Sequence, residues 1–387
     1  MQIVLTTWGF PTPFSQGING IAVYTAVTAR TLARLGHDVT VITSHAEGMP
    51  QQYSTEAGVT VYQAPPGNIH WFLYKARCSS AQLITYVKLW EIGRALVHKL
   101  RTLANDASFD VVEVGLPATF LYAAALQDMK TVSTIHGCPD LFREVLGQKP
   151  VFVDRLWDYI TRKAAARGRL LVAPSRYIAE HYSKRFGRRP FVLPLPVDTE
   201  MAVETEVGRS IGSEVNIIAL GGTGFTKGGD VVARSMVQVM KRHTNVRLSV
   251  ISGFGSGLFL ELQRRFKERV QLLPWMPHRQ LMHRFTLADI FVSASRFETF
   301  GMTVAEAMST GLCVVVSDIP THTELIGDNE RGLVFKSGSP NSLASALMTA
   351  IENPTSREML AERARQWART NLDPVVLTQK RLEVYSS

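Results

Sequence analysis

The sequence predicts an α/β protein built from two Rossmann-like, doubly wound domains in tandem, facing a cleft. Three observations carry this. Short β-branched runs alternate with helical periods through the first half. A polar stretch from Thr199 to Ser213 interrupts them. The alternation then restarts and continues towards the end. Such alternation implies parallel sheets covered by helices on both faces. The 387 residues, 45% of them hydrophobic, exceed one ordinary core and suit two domains of about 150–200 residues each.

In chain order, strands are expected at Ile3–Thr7, Val39–Thr43, Val59–Tyr62, Val111–Val114, Thr131–Ile135, Leu170–Ala173 and Phe191–Leu193. Each is a short run rich in Val, Ile and Thr, the residues that fit a pleated, buried surface. Helices are expected near 20–35, 80–104, 117–127, 153–166 and 176–186. The second series has strands at Val215–Leu220, Arg247–Ile251, Val270–Leu273, Ile290–Ala294, Cys313–Ser317 and Gly332–Phe335. Its helices lie near 228–242, 257–268, 277–286, 302–310 and 340–352, and a charged helical segment runs over 354–385. The domain boundaries that follow are 1–195, a linker at 196–213, a second domain at 214–368, and a C-terminal helix at 369–387 packing back on the first domain. In doubly wound sheets ligands sit at the carboxyl ends of the strands, and a site shared by two domains allows closure and exclusion of water.

Composition removes several function classes. Charged residues make up 19%, so the chain is not of the disordered type. No apolar run reaches the ~18–20 residues that span a bilayer, and the start reads directly as a strand rather than a signal segment. Cys78, Cys138 and Cys313 are scattered, as a cytoplasmic protein without a zinc site would have them. The net charge of +9 is uneven: residues 1–195 hold 21 basic and 13 acidic side chains. That excess fits either a solvated surface or an acidic partner: anionic lipid headgroups at the inner membrane face, a phosphorylated acceptor or a sugar acid. No nucleic-acid-binding pattern accompanies it. The aromatic and basic run Asn68–Arg77 reads as an acceptor or membrane-surface element, or as the buried start of a helix.

The most informative segment is Glu298-Thr-Phe300-Gly301-Met302-Thr303-Val-Ala-Glu306-Ala-Met-Ser-Thr-Gly311, which follows a buried strand and opens a helix. The amides of Gly301, Met302 and Thr303 fall at the helix N-terminus, where unpaired N–H groups and the helix dipole favour an anion. Phosphate on those amides, with Glu298 and Glu306 holding hydroxyls nearby, fits a diphosphate that carries a sugar at each end. A second glycine-rich turn, Leu220-Gly221-Gly222-Thr-Gly224-Phe-Thr226-Lys227-Gly228-Gly229, ends a strand and offers the Lys227 cation to a leaving diphosphate.

These residues resemble the retaining glycosyltransferases of family 4, a two-domain GT-B group with an E-x7-E signature, and the resemblance covers most of the chain. It implies that Glu298 contacts the transferred sugar, that Glu306 binds the nucleotide ribose, and that Phe300, Gly301 and Met302 cradle sugar and phosphate. Thr226, Lys227 and Gly228 match the family's G-R-x4-K-G segment. Gly222 stands where the family has Arg, so Lys227 acts either alone or with another cation, for which Arg176 and Arg296 are candidates. Asn19-Gly20 stands for the family's Gly-Gly turn at the diphosphate, with Asn19 tolerating left-handed angles. His136, after Thr134-Ile135, matches a histidine that touches the donor sugar. Gly253 and Gly255 match the turn that walls the nucleotide, and Met276, in Leu273-Pro-Trp275-Met276-Pro277, closes over the base. Leu195 and Pro196 replace Asn and Gly of the hinge motif.

The activity implied is retaining transfer of a hexosyl group from a nucleotide-diphospho-sugar to an acceptor hydroxyl, in polysaccharide or glycoconjugate biosynthesis. No metal and no resident cofactor are called for, since no D-x-D and no His/Cys cluster is present. Two alternatives stay open: a silent sugar-nucleotide-binding partner subunit, and a synthase or epimerase on the same architecture. A nicotinamide dehydrogenase is excluded because the first strand lacks G-x-G-x-x-G and its downstream ribose acid.

Overall fold

The computed structural model describes the chain apart from residues 13–18, 78–79, 117–125, 168–169, 199–213, 222–224 and 253–256. The expected helix at 117–127, most of the linker, and the candidate residues Gly222, Gly253 and Gly255 lie wholly or largely outside the described residues. The chain separates into two compact units, Met1–Pro196 with Pro374–Ser387, and Val197–Asp373.

The first unit contains β1 (Gln2–Thr7), β2 (Asp38–Thr43), β3 (Gln52–Ser54), β4 (Thr60–Gln63), β5 (Val111–Leu116), β6 (Thr131–Ile135), β7 (Leu170–Ala173) and β8 (Phe191–Val192). They form one sheet in the order β3-β4-β2-β1-β5-β6-β7-β8. Neighbours run parallel except β3 with β4, an antiparallel edge pair. The winding reverses between β1 and β5: β6, β7 and β8 follow outward on one side, β2 and β4 on the other, and β3 adds at the edge beyond β4. Val4, Ile42, Val112 and Val114 on the strands pack against Leu89, Leu96 and Leu100 of the helix Ala81–Ala104.

The second unit contains β9 (Val215–Leu220), β10 (Val246–Ile251), β11 (Val270–Leu273), β12 (Ile290–Ser293), β13 (Cys313–Ser317) and β14 (Leu333–Phe335). All pairs are parallel, in the order β11-β10-β9-β12-β13-β14. Renumbered within the unit, that is 3-2-1-4-5-6, the doubly wound arrangement whose crevice opens where strand order reverses. The reversal falls between β9 and β12. Strands β12 and β13 are buried along their whole length, which explains their unbroken apolar runs.

Three seven-residue helices escape the sequence pattern: Ile69–Lys75, Pro139–Val145 and Pro320–Ile326. Two carry proline in the first turn, where its missing N–H costs nothing. The charged C-terminal segment is two helices, Pro354–Asn371 and Pro374–Ser386, separated at Leu372-Asp373. The turn at Asn19 also differs from expectation. Asn19 has φ −75° and ψ 157°, extended rather than left-handed, and its side chain caps the helix Gly20–Arg34 by accepting from the Ala22 amide at 2.9 Å. Asparagine is therefore used for its capping oxygen. Among the described residues no helix is long and apolar enough to cross a membrane.

Candidate functional site

In the second unit the two glycine-rich segments leave β9 and β12, the strands on either side of the winding reversal. Thr226, Lys227 and Gly228 follow β9, and Glu298 to Thr303 follow β12. Gly228 has φ +67°, and a Cβ there would lie 2.0 Å from the carbonyl oxygen of Ala294. Only glycine allows this turn to press against the backbone just after β12. A second tie is Arg296. Its guanidinium makes two 2.9 Å bonds to Asp230, donates to the Phe225 carbonyl at 2.5 Å and lies 4.0 Å over the Phe225 ring. The Arg296 amide donates to the Thr226 carbonyl at 2.7 Å. Bidentate Arg–carboxylate geometry is directional, so this pair fixes one loop against the other. Arg296, a candidate second cation, is engaged with Asp230, whose carboxyl it holds below the ordinary aspartate range. Arg176 lies in the first unit, exposed at the start of the helix Arg176–Phe186.

The loops bring Lys227 Nζ to 2.6 Å from Glu298 Oε1. Ser295 Oγ donates to the same oxygen at 2.8 Å. Burial would raise the Glu298 carboxyl. The charge and hydrogen bond of Lys227, with His322 and Ser295, outweigh it and hold the group below the usual glutamate value. Glu298 is thus an ionised acceptor at neutral pH and suits binding hydroxyls.

His322 sits behind this pair, fully buried in the helix Pro320–Ile326. Burial pushes its imidazole down to about 4 against the pull of Glu298. Ser317 Oγ donates to the Ser295 carbonyl at 2.5 Å. The Nδ1–H of His322 therefore faces the lone pairs of Ser317 Oγ, 3.1 Å away, and of the Ser317 carbonyl at 3.3 Å. That assigns the neutral Nδ1–H tautomer, with Nε2 turned towards Ser293 Oγ. The ring also favours glycine at 301: at φ +98°, a Cβ there would meet Leu325 at 3.3 Å and His322 at 3.4 Å.

Gly301 is the N-cap of the helix Met302–Ser309, and it offers no side-chain cap. The first-turn amides of Met302 and Thr303 have no acceptor within the helix. Both residues are partly exposed, whereas Phe300 and Gly301 are buried. Glu306, one turn on, is also buried and receives a 2.8 Å contact from His278 Nε2. His278 opens the helix His278–Thr286, two residues after the half-buried Met276. Neighbouring Trp275 is 43% exposed and no part of the core.

The remaining candidates lie in the first unit. Asn19 and Gly20 are exposed at the helix start after β1. His136 follows β6, with its ring centroid 5.0 Å from that of Tyr24. Burial lowers His136 to about 4 although buried Glu113 pulls it up, so it too is neutral at pH 7. Glu113 accepts hydrogen bonds from Tyr24, Thr134, Arg381 and Tyr385.

Sequence reading did not single out Ser295, His322, Asp230, Ser317, His278 or Glu113. Their partners lie 3 to 272 positions away, and no motif spacing marks them. The one available signal was a polar cluster directly after a fully apolar strand, in Ser317-Asp-Ile-Pro-Thr-His322.

Two doubly wound sheets in tandem, the second with an uncapped helix start at Gly301 beyond β12, are the architecture of the GT-B fold. Residues 18–201 match the family described as Glycosyltransferase Family 4, and residues 207–367 match Glycosyl transferases group 1. The chain belongs to this family, whose members transfer a sugar from a nucleotide sugar. It is 25% identical to an uncharacterized glycosyltransferase of Methanocaldococcus jannaschii, over 95% of this chain and 93% of that protein. A D-inositol 3-phosphate glycosyltransferase of Segniliparus rotundus is 24% identical over 92% of this chain and 81% of its own. Among solved structures, sucrose-phosphate synthase from Thermosynechococcus elongatus superposes with a TM-score of 0.77, at 16% identity, over 99% of this chain and 98% of its own.

Proposed function

We propose that the second unit binds a nucleotide-diphospho-sugar and that transfer proceeds with retention, without a protein-held metal, to an acceptor hydroxyl. The observation that carries this is the Lys227–Glu298 pair at 2.6 Å, set beside the uncapped helix start at Gly301 and one turn from buried Glu306. The diphosphate rests on the Met302 and Thr303 amides, Lys227 meets its charge, and Glu306 takes the ribose hydroxyls. Glu298, kept ionised, accepts hydrogen bonds from the hydroxyls of the transferred sugar. His136, neutral, is the first unit's candidate for a hydrogen bond to a sugar hydroxyl.

The bond from the anomeric carbon to the phosphate oxygen breaks, and the electron pair leaves with the phosphate. The acceptor oxygen then bonds to the same face of the oxocarbenium-like sugar, and its proton passes to the departing phosphate. Preorganised donors aimed at that developing charge supply the main stabilisation. The basic first unit favours an anionic or lipid-linked acceptor. The relative that acts on D-inositol 3-phosphate supports an acceptor of phosphorylated type.

The test is release of free nucleotide from a panel of nucleotide sugars by wild type, Glu298→Gln and Lys227→Ala. One donor should turn over, and each substitution should lower kcat by roughly 10²-fold or more. Turnover that survives both changes would remove this site from the reaction. Tight donor binding without turnover, restored by a second protein, would favour the silent partner subunit.

A further inference from the structure

The first unit carries a surface that donor chemistry does not use. The net charge of the whole chain is +9, yet residues 151–189 alone hold ten basic and three acidic side chains. The helix Phe152–Arg167 opens this stretch. Its outward stripe alternates two chemistries: Phe152 (78% exposed), Leu156 (47%) and Tyr159 (50%) are interspersed with exposed Arg155 and Arg162. A globular helix normally turns such apolar positions inward.

Two concavities occupy adjacent faces of this helix. One, about 360 Å³, is an almost wholly apolar groove between Val153, Leu156 and Ile160 on one side and Val87 and Trp90 on the other. The second, about 460 Å³, is lined by Arg155, Arg162, Arg185, Tyr159 and Asp158. Its single carboxylate, Asp158, already bridges Arg143 at 2.8 Å and Arg185 at 3.0 Å. Arg185 is also paired with Asp140 at 3.1 Å, so the excess positive charge of this pocket is that of Arg155 and Arg162.

The helix Ile69–Lys75 continues the pattern. Buried Glu91 holds its start by accepting from the Ile69 and His70 amides at 2.8 and 3.1 Å. None of its residues is buried, and Trp71, Phe72 and Tyr74 are 51%, 71% and 63% exposed. Lys75 lies over the stacked Trp71 ring. It is therefore no buried helix start. Both exposed helices flank the same stretch of Ala81–Ala104: Glu91 holds one, and Tyr86 stacks on Trp157 of the other at 4.7 Å.

We propose that this surface docks on an anionic phospholipid bilayer. The Arg155–Arg162–Arg185 pocket takes a lipid phosphate, the apolar groove accepts hydrocarbon beside it, and Trp71, Phe72, Tyr74, Phe152 and Tyr159 enter the headgroup zone. Charge complementarity selects this occupant, because a purely apolar partner would leave the guanidinium cluster unmatched. Exposed aromatic rings among basic side chains suit an interface that is apolar on one side and wet on the other. The proposal is independent of the transfer chemistry.

The experiment is sedimentation of the full chain with phosphatidylcholine vesicles, with and without phosphatidylglycerol. Three variants accompany wild type: Arg155→Glu/Arg162→Glu, Phe152→Ser/Leu156→Ser and Trp71→Ser/Phe72→Ser. All these side chains are exposed, so thermal melting should match wild type. Wild type should bind only the anionic vesicles. The arginine variant should lose more than about tenfold in apparent affinity, and the two apolar variants should retain only weak, salt-sensitive binding. Inorganic phosphate at matched ionic strength should not displace the protein. Absence of wild-type binding, equal binding to neutral vesicles, variants that bind as wild type, or full displacement by phosphate would each overturn the proposal.

Discussion

His322 shows how one buried side chain can set the state of a charged pair it does not hydrogen-bond. It crowds the space that a Cβ at Gly301 would need, and its neutral ring leaves Lys227 as the cation that faces Glu298. Keeping it neutral has a consequence for stability. Its folded value near 4 lies below the ordinary 6.5, so between those pH values the unfolded chain binds the extra proton. Stability from this group is complete above about 6.5 and is lost as pH falls towards 4. In urea unfolding of the second unit, wild type should lose about 2 kcal/mol more than His322→Gln between pH 7 and pH 4.5. Equal losses in both proteins would mean that the imidazole is already charged in the fold. Glu298 and Asp230 add losses at lower pH, since their folded values are depressed; the Asp230 loss appears equally in both proteins, whereas the variant lacks the share of the Glu298 depression that comes from His322.

At the scale of elements, the site depends on how closely two strand-to-helix turns approach. Gly228→Ala puts a Cβ at 2.0 Å from the Ala294 oxygen and 2.7 Å from its carbonyl carbon, with backbone at φ +67°. Neither atom is the end of a flexible side chain, so one turn must move. A cost of about 2–4 kcal/mol is expected, measured as a shift in the urea midpoint and accompanied by weaker nucleotide binding. A change below about 0.5 kcal/mol would show that the turns are not wedged together. The same scale separates what could be read from sequence from what could not. Parallel strands buried on both faces, such as β12 and β13, announce themselves as apolar β-branched runs. Glycine turns after them are visible as Gly221–Gly229 and Glu298–Gly301. Seven-residue helices contain too few turns to show a period. Ile69–Lys75 exists through tertiary contacts with Glu91, and Pro320–Ile326 through the packing of His322. The Arg296–Asp230 tie spans 66 positions, and Ser317 reaches Ser295 from a neighbouring strand, so neither leaves a local trace.

At the scale of the whole chain, the helix Pro374–Ser386 belongs to the first unit although the second unit separates them in sequence. Its docking rests on Arg381, fully buried, which meets Glu113 of β5 at 2.8 Å across 268 positions. Burial would raise Glu113, but Arg381 and the hydroxyls of Tyr24, Tyr385 and Thr134 hold it ionised. Arg381 also lies 5.1 Å from the Tyr24 ring centroid, while its buried Nη2 has no hydrogen-bond partner among the described residues. A pair so deeply buried stabilises little in net terms, yet removing one member strands the other charge. Arg381→Met should therefore cost about 3–5 kcal/mol in the first unit. Adding Glu113→Gln removes the stranded charge, keeps one acceptor oxygen for the Tyr24 and Thr134 hydroxyls and turns an amide N–H towards the Tyr385 oxygen, so the double variant should be more stable than Arg381→Met alone. Urea unfolding of the four proteins gives the coupling directly. Simple additivity would mean that water reaches Glu113 when Arg381 is gone, and that the last helix is held by Leu377, Val384 and Tyr385 instead. With the coupling as expected, the C-terminal helix completes the core that lies against His136, and a chain ending before Pro374 should lose the first-unit transition while keeping that of the second.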